Sequence, residues 1–155
     1  IYENITKNIP DIQGFKFGVV VSEWNNEITH ALYEGCFDTL IKHGADQNDI
    51  KTIQVPGAFE LPGAAKMLAS TDKLDAVICI GCVIQGETKH FDYVCTAATN
   101  GIAKLNLKYR KPVSFCLLTD NTLQQSIDRS GGKHGNKGTE CAIACMKMIE
   151  LKKSF

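Results

Sequence analysis

Short apolar runs alternate with amphipathic segments along this chain. Four runs are apolar at nearly every position, which is typical of strands buried on both faces of a sheet. The predicted strands are residues 17–21, 50–55, 76–80 and 113–118. The intervening segments carry apolar residues at helical spacing. The predicted helices run from about residue 26 to Gly44, and over 61–69, 91–107, 123–130 and 139–151.

Buried strands that alternate with helices indicate a parallel sheet with helices on both faces. Right-handed crossovers favour the strand order 2-1-3-4. We therefore expect an α/β fold, a three-layer sandwich in which helices flank a four-stranded parallel sheet, of the flavodoxin-like type. Residues 15–155 are expected to form a single domain, preceded by an N-terminal extension over residues 1–14.

Three local details accompany this fold. Asn25 or Asn26 is expected to cap the first helix, since Asn is favoured at that position. The third strand is expected to end in a loop that contains Gly81 and Gly86. The glycine-rich stretch 130–138 leaves two interpretations open. It is either a flexible solvated loop or part of a phosphate site, for which Arg129 and Lys137 supply the positive charges.

The charge balance excludes some classes of function. Seventeen basic and seventeen acidic residues cancel in 155, and no basic run appears, so nucleic-acid binding is not expected. No apolar run approaches the roughly 20 residues of a membrane span. Residues 1–11 are polar and lack the apolar core of a signal peptide.

The seven cysteines are odd in number, which with the missing secretion signal favours reduced thiols in the cytoplasm. Cys79 and Cys82 have C-x-x-C spacing, but residues three apart on a strand face opposite ways, so a shared metal or redox pair is not expected there. Cys141 and Cys145 share one face of a predicted helix and are interpreted as small core residues. No metal site is predicted.

Ligands of such sheets bind beyond the carboxyl ends of the strands. Four segments converge on that rim: 22–25, 56–60, 81–90 and 119–121. The third one joins a strand to a helix, so its N–H groups and the helix dipole suit an anion such as phosphate. His90 adds an imidazole for proton transfer. The alternative is an ordinary strand-to-helix turn that ends in a capping histidine.

Two further rim residues also allow two interpretations. Trp24, the one tryptophan, either stacks on a flat heterocycle or covers the edge of the core. Glu60 either helps the nearby N–H groups to hold a polyhydroxylated chain, or is simply a first-turn acid favoured by the helix dipole.

Three long motifs resemble one family. Residues 55–62 read VPGAFELP, residues 81–94 read GCVIQGETKHFDYV, and residues 127–138 read IDRSGGKHGNKG. In this order and separation they are similar to the 6,7-dimethyl-8-ribityllumazine synthases, and the resemblance covers about nine-tenths of the chain. Cys82, Lys89, Ser130 and Gly132 depart from residues frequent in the family, but none of these departures removes a polar site residue.

The resemblance implies a transferase that catalyses the penultimate step of riboflavin biosynthesis. The amine of 5-amino-6-(D-ribitylamino)uracil condenses with the ketone of 3,4-dihydroxy-2-butanone 4-phosphate, phosphate is eliminated and the ring closes. The products are 6,7-dimethyl-8-ribityllumazine, phosphate and water. No metal or organic cofactor is implied.

The resemblance also implies roles for single residues. His90 moves protons, Trp24 stacks on the pyrimidine ring, and Glu87 and Thr88 bind the phosphate. Further residues hold the ribityl chain (Ala58, Phe59, Glu60), lie along the heterocycle (Val83, Ile84) or complete the pocket (Phe115, Arg129, Lys137, Glu140). Of these, Phe115 and Arg129 are expected to come from a neighbouring subunit, with Arg129 catalytic beside the phosphate.

A pocket shared between chains implies a symmetric ring. The family expectation is a homo-oligomeric pentamer, extended here to a 60-subunit icosahedral capsid because the stretch 129–138 lacks an insertion seen in pentameric relatives. Residues 1–14 would then add a strand to a neighbour's sheet. Riboflavin synthase is an expected partner. Two alternatives stay open: an archaeal-type pentameric riboflavin synthase, and a non-catalytic flavin-binding or shell protein on the same scaffold.

Overall fold

The computed structural model describes residues 5–155 and contains the predicted alternation of strands and helices. The strands of the main sheet are β1 (Phe17–Ser22), β2 (Ile50–Val55), β3 (Ala76–Ile84) and β4 (Val113–Asp120). The helices are α1 (Asn26–Lys42), α2 (Leu61–Ala69), α3 (His90–Lys108), α4 (Leu123–Arg129) and α5 (Lys137–Lys152). Two short strands, β5 (Ser130–Gly132) and β6 (Gly135–Asn136), separate α4 from α5.

The four long strands form one parallel sheet in the order β2-β1-β3-β4. Phe17 at the start of β1 pairs with Ile50 on one side and Ala76 on the other. All four strands therefore end at the same rim, where the predicted ligand segments begin. The fold class and the strand order predicted from the sequence are confirmed.

Each face of the sheet carries its own hydrophobic core. On one face, α1 and α5 pack on the odd-numbered positions of β1, such as Val19 and Val21. On the other, α2 and α3 pack on Val20 and its neighbours. Along β3 the same alternation places Cys79 in one core and Cys82 in the other, which confirms that these two thiols face opposite ways.

Strand β3 continues four residues beyond the predicted end. Gly81 does not break it, because it pairs with Leu117 of β4. A Cβ at this position would lie 2.9 Å from side-chain carbons of Leu117 and Leu61, so the glycine serves close packing across the sheet rather than a turn. The predicted loop is consequently shorter and begins at Gln85.

The glycine-rich stretch is also more ordered than either interpretation implied. Strands β5 and β6 form a small antiparallel pair. The Asn136 side chain accepts a hydrogen bond from the N–H of Gly138 at 2.8 Å and donates one to the carbonyl of Ala31 at 3.0 Å. It thereby caps α5 and ties it to α1. A Cβ at Gly138 would collide with the carbonyl of Leu32, so α1 and α5 approach closely there.

The N-terminal segment contributes to the core of its own chain. Ile12 is buried, and its N–H donates to the carbonyl of His43 at 3.0 Å. Residues 1–4 of the predicted extension lie outside the described residues, and packing of the segment on a neighbouring subunit stays a prediction. Within residues 5–155, no helix has the length and apolar character needed to cross a membrane.

Candidate active site

A cavity of about 520 Å³ opens beyond the carboxyl ends of β1, β2 and β3. It collects residues from three of the segments that the sequence placed at this rim. Its walls are Trp24, Asn25, Gly57, Ala58, Phe59, Glu60, Cys82, Val83, Ile84, His90 and Val94. Seven of the predicted site residues therefore share one cavity. They are Trp24, Ala58, Phe59, Glu60, Val83, Ile84 and His90.

Trp24 stands on the short connection between β1 and α1. The N–H of Trp24 donates to the carbonyl of Pro56 at 3.3 Å, and that of Glu23 to the carbonyl of Val55 at 2.9 Å. The pairing of β1 with β2 thus continues past the sheet and carries the indole to the cavity. The Trp24 side chain is 73% exposed, so it does not cover the core edge of this chain. An exposed indole on a fixed backbone is suited to stacking on a flat ring.

The turn after β2 presents Ala58 and Phe59 to the same cavity. The N–H of Gly57 donates to a carboxylate oxygen of Glu60 at 3.0 Å, and the N–H of Glu60 donates to the carbonyl of Gly57 at 3.2 Å. These two bonds close a 3-10 turn over Ala58–Glu60. A Cβ at Gly57 would lie 3.2 Å from the Trp24 ring, so a small residue is favoured there. The carboxylate of Glu60 therefore stabilises the turn, and Glu60 also lines the cavity.

The end of β3 forms the floor of the cavity. The Asn25 side-chain amide donates to the carbonyl of Cys82 at 3.0 Å, which joins the Trp24 segment to the strand that carries Val83 and Ile84. Asn25 is the N-cap residue of α1, one of the two positions predicted, but its side chain makes no capping hydrogen bond. Its backbone is left-handed, with φ of 58°. Asn tolerates that conformation better than most residues.

A buried hydrogen-bond network supports this floor from below. The Ser126 hydroxyl donates to the carboxylate of Asp120 at 2.8 Å and lies 3.3 Å from the Cys82 sulfur. Burial raises the pKa of Cys82 to about 11, partly offset by its hydrogen bond to Ser126, so this thiol is neutral and unreactive. Sequence reasoning missed Ser126, since nothing in the pattern of α4 shows that its one buried residue is polar.

His90 is the first residue of α3 and lines the cavity together with Trp24. The backbone N–H of His90 donates to the hydroxyl of Thr88 at 3.3 Å. Glu87 and Thr88 are exposed and are not among the lining residues. They precede α3 by two or three residues. Lys89, the N-cap residue of α3, provides no side-chain cap, which leaves first-turn N–H groups for water or a ligand.

Three other predicted residues line a second cavity, of about 560 Å³, between β4 and α5. Phe115 is 39% exposed there. The Lys137 ammonium lies 3.9 Å from a carboxylate oxygen of Glu140 one turn along α5. The lining is Ile5, Asn106, Pro112, Val113, Ser114, Phe115, Lys137, Glu140, Cys141, Ala144, Cys145 and Met148. Phe115, Lys137 and Glu140 of one chain therefore line the same cavity, which is separate from the cavity that His90 lines.

Arg129, the last residue of α4, lines neither of these two cavities. Its guanidinium donates to the carbonyl of Gln125 at 3.0 Å, one turn earlier in the same helix. Within a single chain His90 and Arg129 thus do not meet in a common cavity. That separation is the arrangement expected if Arg129 serves the site of a neighbouring subunit.

A polar groove of about 400 Å³ beside the edge strand β2 holds none of the predicted site residues. Tyr33 and Thr52 bridge it with a hydrogen bond of 2.9 Å between their hydroxyls. Its lining is Val21, Ser22, Glu23, Asn26, Thr29, His30, Tyr33, Thr52 and Gln54. The larger cavity at the strand ends remains the candidate active site because it combines an imidazole, an exposed indole and a closed turn.

These features define a doubly wound α/β protein with a cavity at its strand ends and a second cavity, between β4 and α5, that collects three of the other predicted residues. Residues 14–153 match the family model described as 6,7-dimethyl-8-ribityllumazine synthase. The chain belongs to this family.

Relatives that carry the same description cover nearly the whole chain. The 6,7-dimethyl-8-ribityllumazine synthase of Christiangramia forsetii is 56% identical over 146 residues, which are 94% of this chain and 87% of that protein. The Flavobacterium johnsoniae protein is 57% identical over 93% of this chain and 76% of its own length. The Phocaeicola vulgatus protein is 49% identical over 99% of this chain and 94% of its own length.

Proposed function

We propose that this chain condenses 5-amino-6-(D-ribitylamino)uracil with 3,4-dihydroxy-2-butanone 4-phosphate to give 6,7-dimethyl-8-ribityllumazine, phosphate and water. It is a transferase of riboflavin biosynthesis, at the penultimate step. The observation that carries the proposal is the cavity that Trp24 and His90 line together. The family membership supports it, and neither alternative class is favoured by the names of the relatives.

The uracil substrate occupies the cavity at the strand ends. The Trp24 indole stacks on the pyrimidine ring, and Val83 and Ile84 lie along its edge. The ribityl chain extends over the closed turn, where backbone groups of Ala58 and Phe59 and the carboxylate of Glu60 take its hydroxyls. Because the Gly57 N–H already holds Glu60 in place, this part of the site is formed before substrate arrives.

The phosphorylated substrate lies at the start of α3. The loop residues Glu87 and Thr88 bind its phosphate there. First-turn N–H groups of α3, which no side chain caps, contribute further hydrogen bonds to the phosphate. The hydrogen bond from the backbone N–H of His90 to the Thr88 hydroxyl ties the proposed phosphate segment to the start of α3. In this proposal the ketone of the phosphorylated substrate lies between the His90 imidazole and the amine carried by the uracil.

His90 transfers the protons of the reaction. Imine formation releases one water, and loss of phosphate removes a proton from carbon. Ring closure transfers a proton from nitrogen to the remaining carbonyl oxygen, which then leaves as a second water. One imidazole can accept and return these protons in turn. Alignment of two substrates in one cavity supplies a large further part of the rate, since it converts a bimolecular step into a unimolecular one.

The site is completed by a second copy of the chain. Phe115, Lys137 and Glu140 line one cavity together, and in this proposal they enter a neighbour's site as a group. Arg129 lies outside that cavity and is proposed to join the same neighbour's site. The Arg129 guanidinium is suited to a departing phosphate because it presents several donors and keeps its charge. A shared site requires a closed ring, and we propose the pentamer, with twelve pentamers in a 60-subunit shell.

The cellular setting is part of the proposal. All seven cysteines are free thiols, which suits a reducing compartment such as the cytoplasm. Riboflavin synthase, as the consumer of the lumazine product, is the proposed partner. A sedimentation mass equal to a free pentamer would contradict the shell but leave the shared site intact.

Mixing the two substrates with the protein and following lumazine fluorescence tests the activity. Fluorescence should appear at a rate proportional to protein concentration and should require both substrates. A second reaction that contains lumazine alone should yield no riboflavin. Formation of riboflavin from lumazine alone would show that the chain is a riboflavin synthase of the archaeal type instead. Absence of turnover in both reactions would leave only a flavin-binding or shell role.

A further inference from the structure

The short helix α4 is joined to the sheet by a buried chain of three polar side chains. The Ser126 hydroxyl donates to a carboxylate oxygen of Asp120 at 2.8 Å, and its oxygen lies 3.3 Å from the Cys82 sulfur. A hydroxyl has a single proton, and Asp120 accepts it, so the Cys82 thiol is the donor to Ser126. The chain of hydrogen bonds therefore runs from β3 through α4 to the end of β4.

Ser126 attaches the body of α4 to the sheet of its own chain. Of the residues Leu123–Arg129, Ser126 alone is buried, whereas the apolar side chains of Leu123 and Ile127 are exposed. A helix that buries so little apolar surface gains little hydrophobic stabilisation from its own chain, so its hydrogen bonds decide its orientation. Asp120 is itself buried, and a buried carboxylate requires donors, which favours retention of the Ser126 bond.

Asp120 is a fixed reference point because the sheet holds its backbone. It pairs with Ile84 across β3 and β4, and its carbonyl accepts a hydrogen bond from the Gln85 N–H at 2.9 Å. The Ser126–Asp120 bond therefore orients α4 relative to two strand ends that do not move independently of each other.

Arg129 lies on the side of α4 that this bond controls. It follows Ser126 by three residues, so the two side chains are neighbours on one face of the helix. The Arg129 guanidinium is held by α4 itself, at the carbonyl of Gln125, and by no side chain of the sheet among the printed contacts of the described chain. Any rotation of α4 about its axis consequently carries the guanidinium with it.

We propose that Ser126 and Asp120 are positioning residues, which set the orientation of α4 and thereby the place of the Arg129 guanidinium in the active site of the neighbouring subunit. Neither residue contacts substrate, and both act through Arg129. The inference rests on the proposed function, in which Arg129 binds the phosphate of a substrate held by another chain.

Single substitutions test whether the effect is confined to the phosphorylated substrate. Ser126→Ala should raise KM for that substrate by roughly three- to tenfold, the scale of one lost buried hydrogen bond, and leave KM for the uracil substrate unchanged. Asp120→Ala should behave in the same way. Asp120→Asn keeps an oxygen that can accept from Ser126, so its KM should lie between those of Asp120→Ala and wild type.

Gln124→Ala is the matched control. The Gln124 amide donates to the Asp128 carboxylate at 2.9 Å on the exposed side of the same helix, so this variant loses a hydrogen bond of α4 but keeps the anchor to the sheet. Its KM values should match those of wild type. If Ser126→Ala does not assemble, Asp120→Ala replaces it in each comparison.

A double variant tests whether Ser126 acts through Arg129. Ser126→Ala combined with Arg129→Ala should have the KM of Arg129→Ala alone, because no guanidinium remains to be misplaced. A further rise in KM of the size seen in the single Ser126→Ala variant would show that the two residues act independently, which overturns the proposal.

Mixed rings test whether the effect reaches the neighbouring chain. Ser126→Ala subunits are coexpressed with a large excess of His90→Ala subunits, whose own residual rate is subtracted. Most sites that retain His90 then receive Arg129 from a neighbour with intact Ser126. KM for the phosphorylated substrate should return to the wild-type value. A KM that stays raised would mean that Ser126 acts on the cavity of its own chain, through Cys82, and would reject the inference.

Failure of the inference is distinct from failure of the proposed function. A wild-type protein that forms lumazine, with a Ser126→Ala variant whose KM for the phosphorylated substrate is unchanged, would reject the inference alone. A wild-type protein that forms no lumazine from the two substrates would reject the proposed function and the inference with it.

Discussion

The Asn25 side-chain amide donates to the carbonyl of Cys82 at 3.0 Å, and this bond joins the segment of Trp24 to the floor of the active-site cavity. Asn25 makes it from a left-handed backbone conformation, with φ of 58°. Its backbone and its side chain therefore serve different purposes. The backbone turns the chain into α1, while the amide links the ends of β1 and β3 beside the candidate active-site cavity.

Two substitutions at Asn25 separate those purposes. Asn25→Ala and Asn25→Gly both lose the amide, so both should raise KM for the uracil substrate to the same extent. Asn25→Ala should in addition lower the free energy of unfolding by about 1 kcal/mol more than Asn25→Gly, since alanine is strained at positive φ. Urea unfolding and steady-state kinetics of the two variants check this. Equal unfolding free energies of the two variants would contradict the role given to the backbone of Asn25. A larger rise in KM for the less stable variant would contradict the separate role given to its amide.

His90→Ala should lower kcat by roughly ten- to a thousandfold, within or below the usual range for an acid–base group, because alignment of the substrates still operates. His30→Ala is a matched control: that imidazole is 66% exposed, lies 3.0 Å from Glu34 and is outside the cavity. Its kcat should match wild type. Turnover of His90→Ala that equals wild type at saturating substrate would show that another group moves the protons.

Arg129→Ala should chiefly raise KM for the phosphorylated substrate, since it removes a cation placed to bind phosphate. Arg129→Lys retains the charge but not the paired donors, so it should fall between Ala and wild type. Steady-state kinetics with each substrate varied in turn check the prediction. An effect limited to the uracil substrate would place Arg129 elsewhere in the site.

The fold was predictable because its local signals agree with its packing. The second strand and the second helix have the predicted bounds, Ile50–Val55 and Leu61–Ala69. The strand ends there because Pro56 and Gly57 cannot continue it, and the helix tolerates Pro62 because that residue lies in its first turn. Gly81 shows where such signals mislead. Its lack of a side chain accommodates Leu117 and Leu61, a tertiary requirement that has no local signature.

The site divides in the same way. The topology rule brought Trp24, the Ala58–Glu60 turn and His90 together, since all follow strands that end at one rim. It could not place Phe115, Lys137 and Glu140, because their cavity lies between β4 and α5, away from that rim. Asn25 has the predicted N-cap position, but the sequence did not show that its side-chain amide bonds the Cys82 carbonyl instead of capping the helix, because either role requires an amide at this position.

The buried thiols predict how stability depends on pH. Burial raises the pKa of Cys79 from 9.0 to about 12. Above about pH 9 the unfolded chain loses this proton while the folded chain keeps it, so the folded state binds more protons and its stability falls as pH rises. The contribution is complete below about pH 9 and is lost progressively as the pH rises toward 12.

Cys79→Ala therefore should flatten the decline of the unfolding free energy between about pH 9 and 11, by up to about 1.4 kcal/mol per pH unit. At neutral pH the variant should be somewhat less stable, because a buried sulfur is removed. Cys95→Ala is the matched comparison, since Cys95 is only partly buried; burial and the neighbouring Asp92 raise the pKa of its thiol as well, so this variant should flatten the decline less than Cys79→Ala does. Urea unfolding at a series of pH values gives both slopes. Equal slopes for Cys79→Ala and wild type would mean that water reaches the Cys79 sulfur in the folded protein.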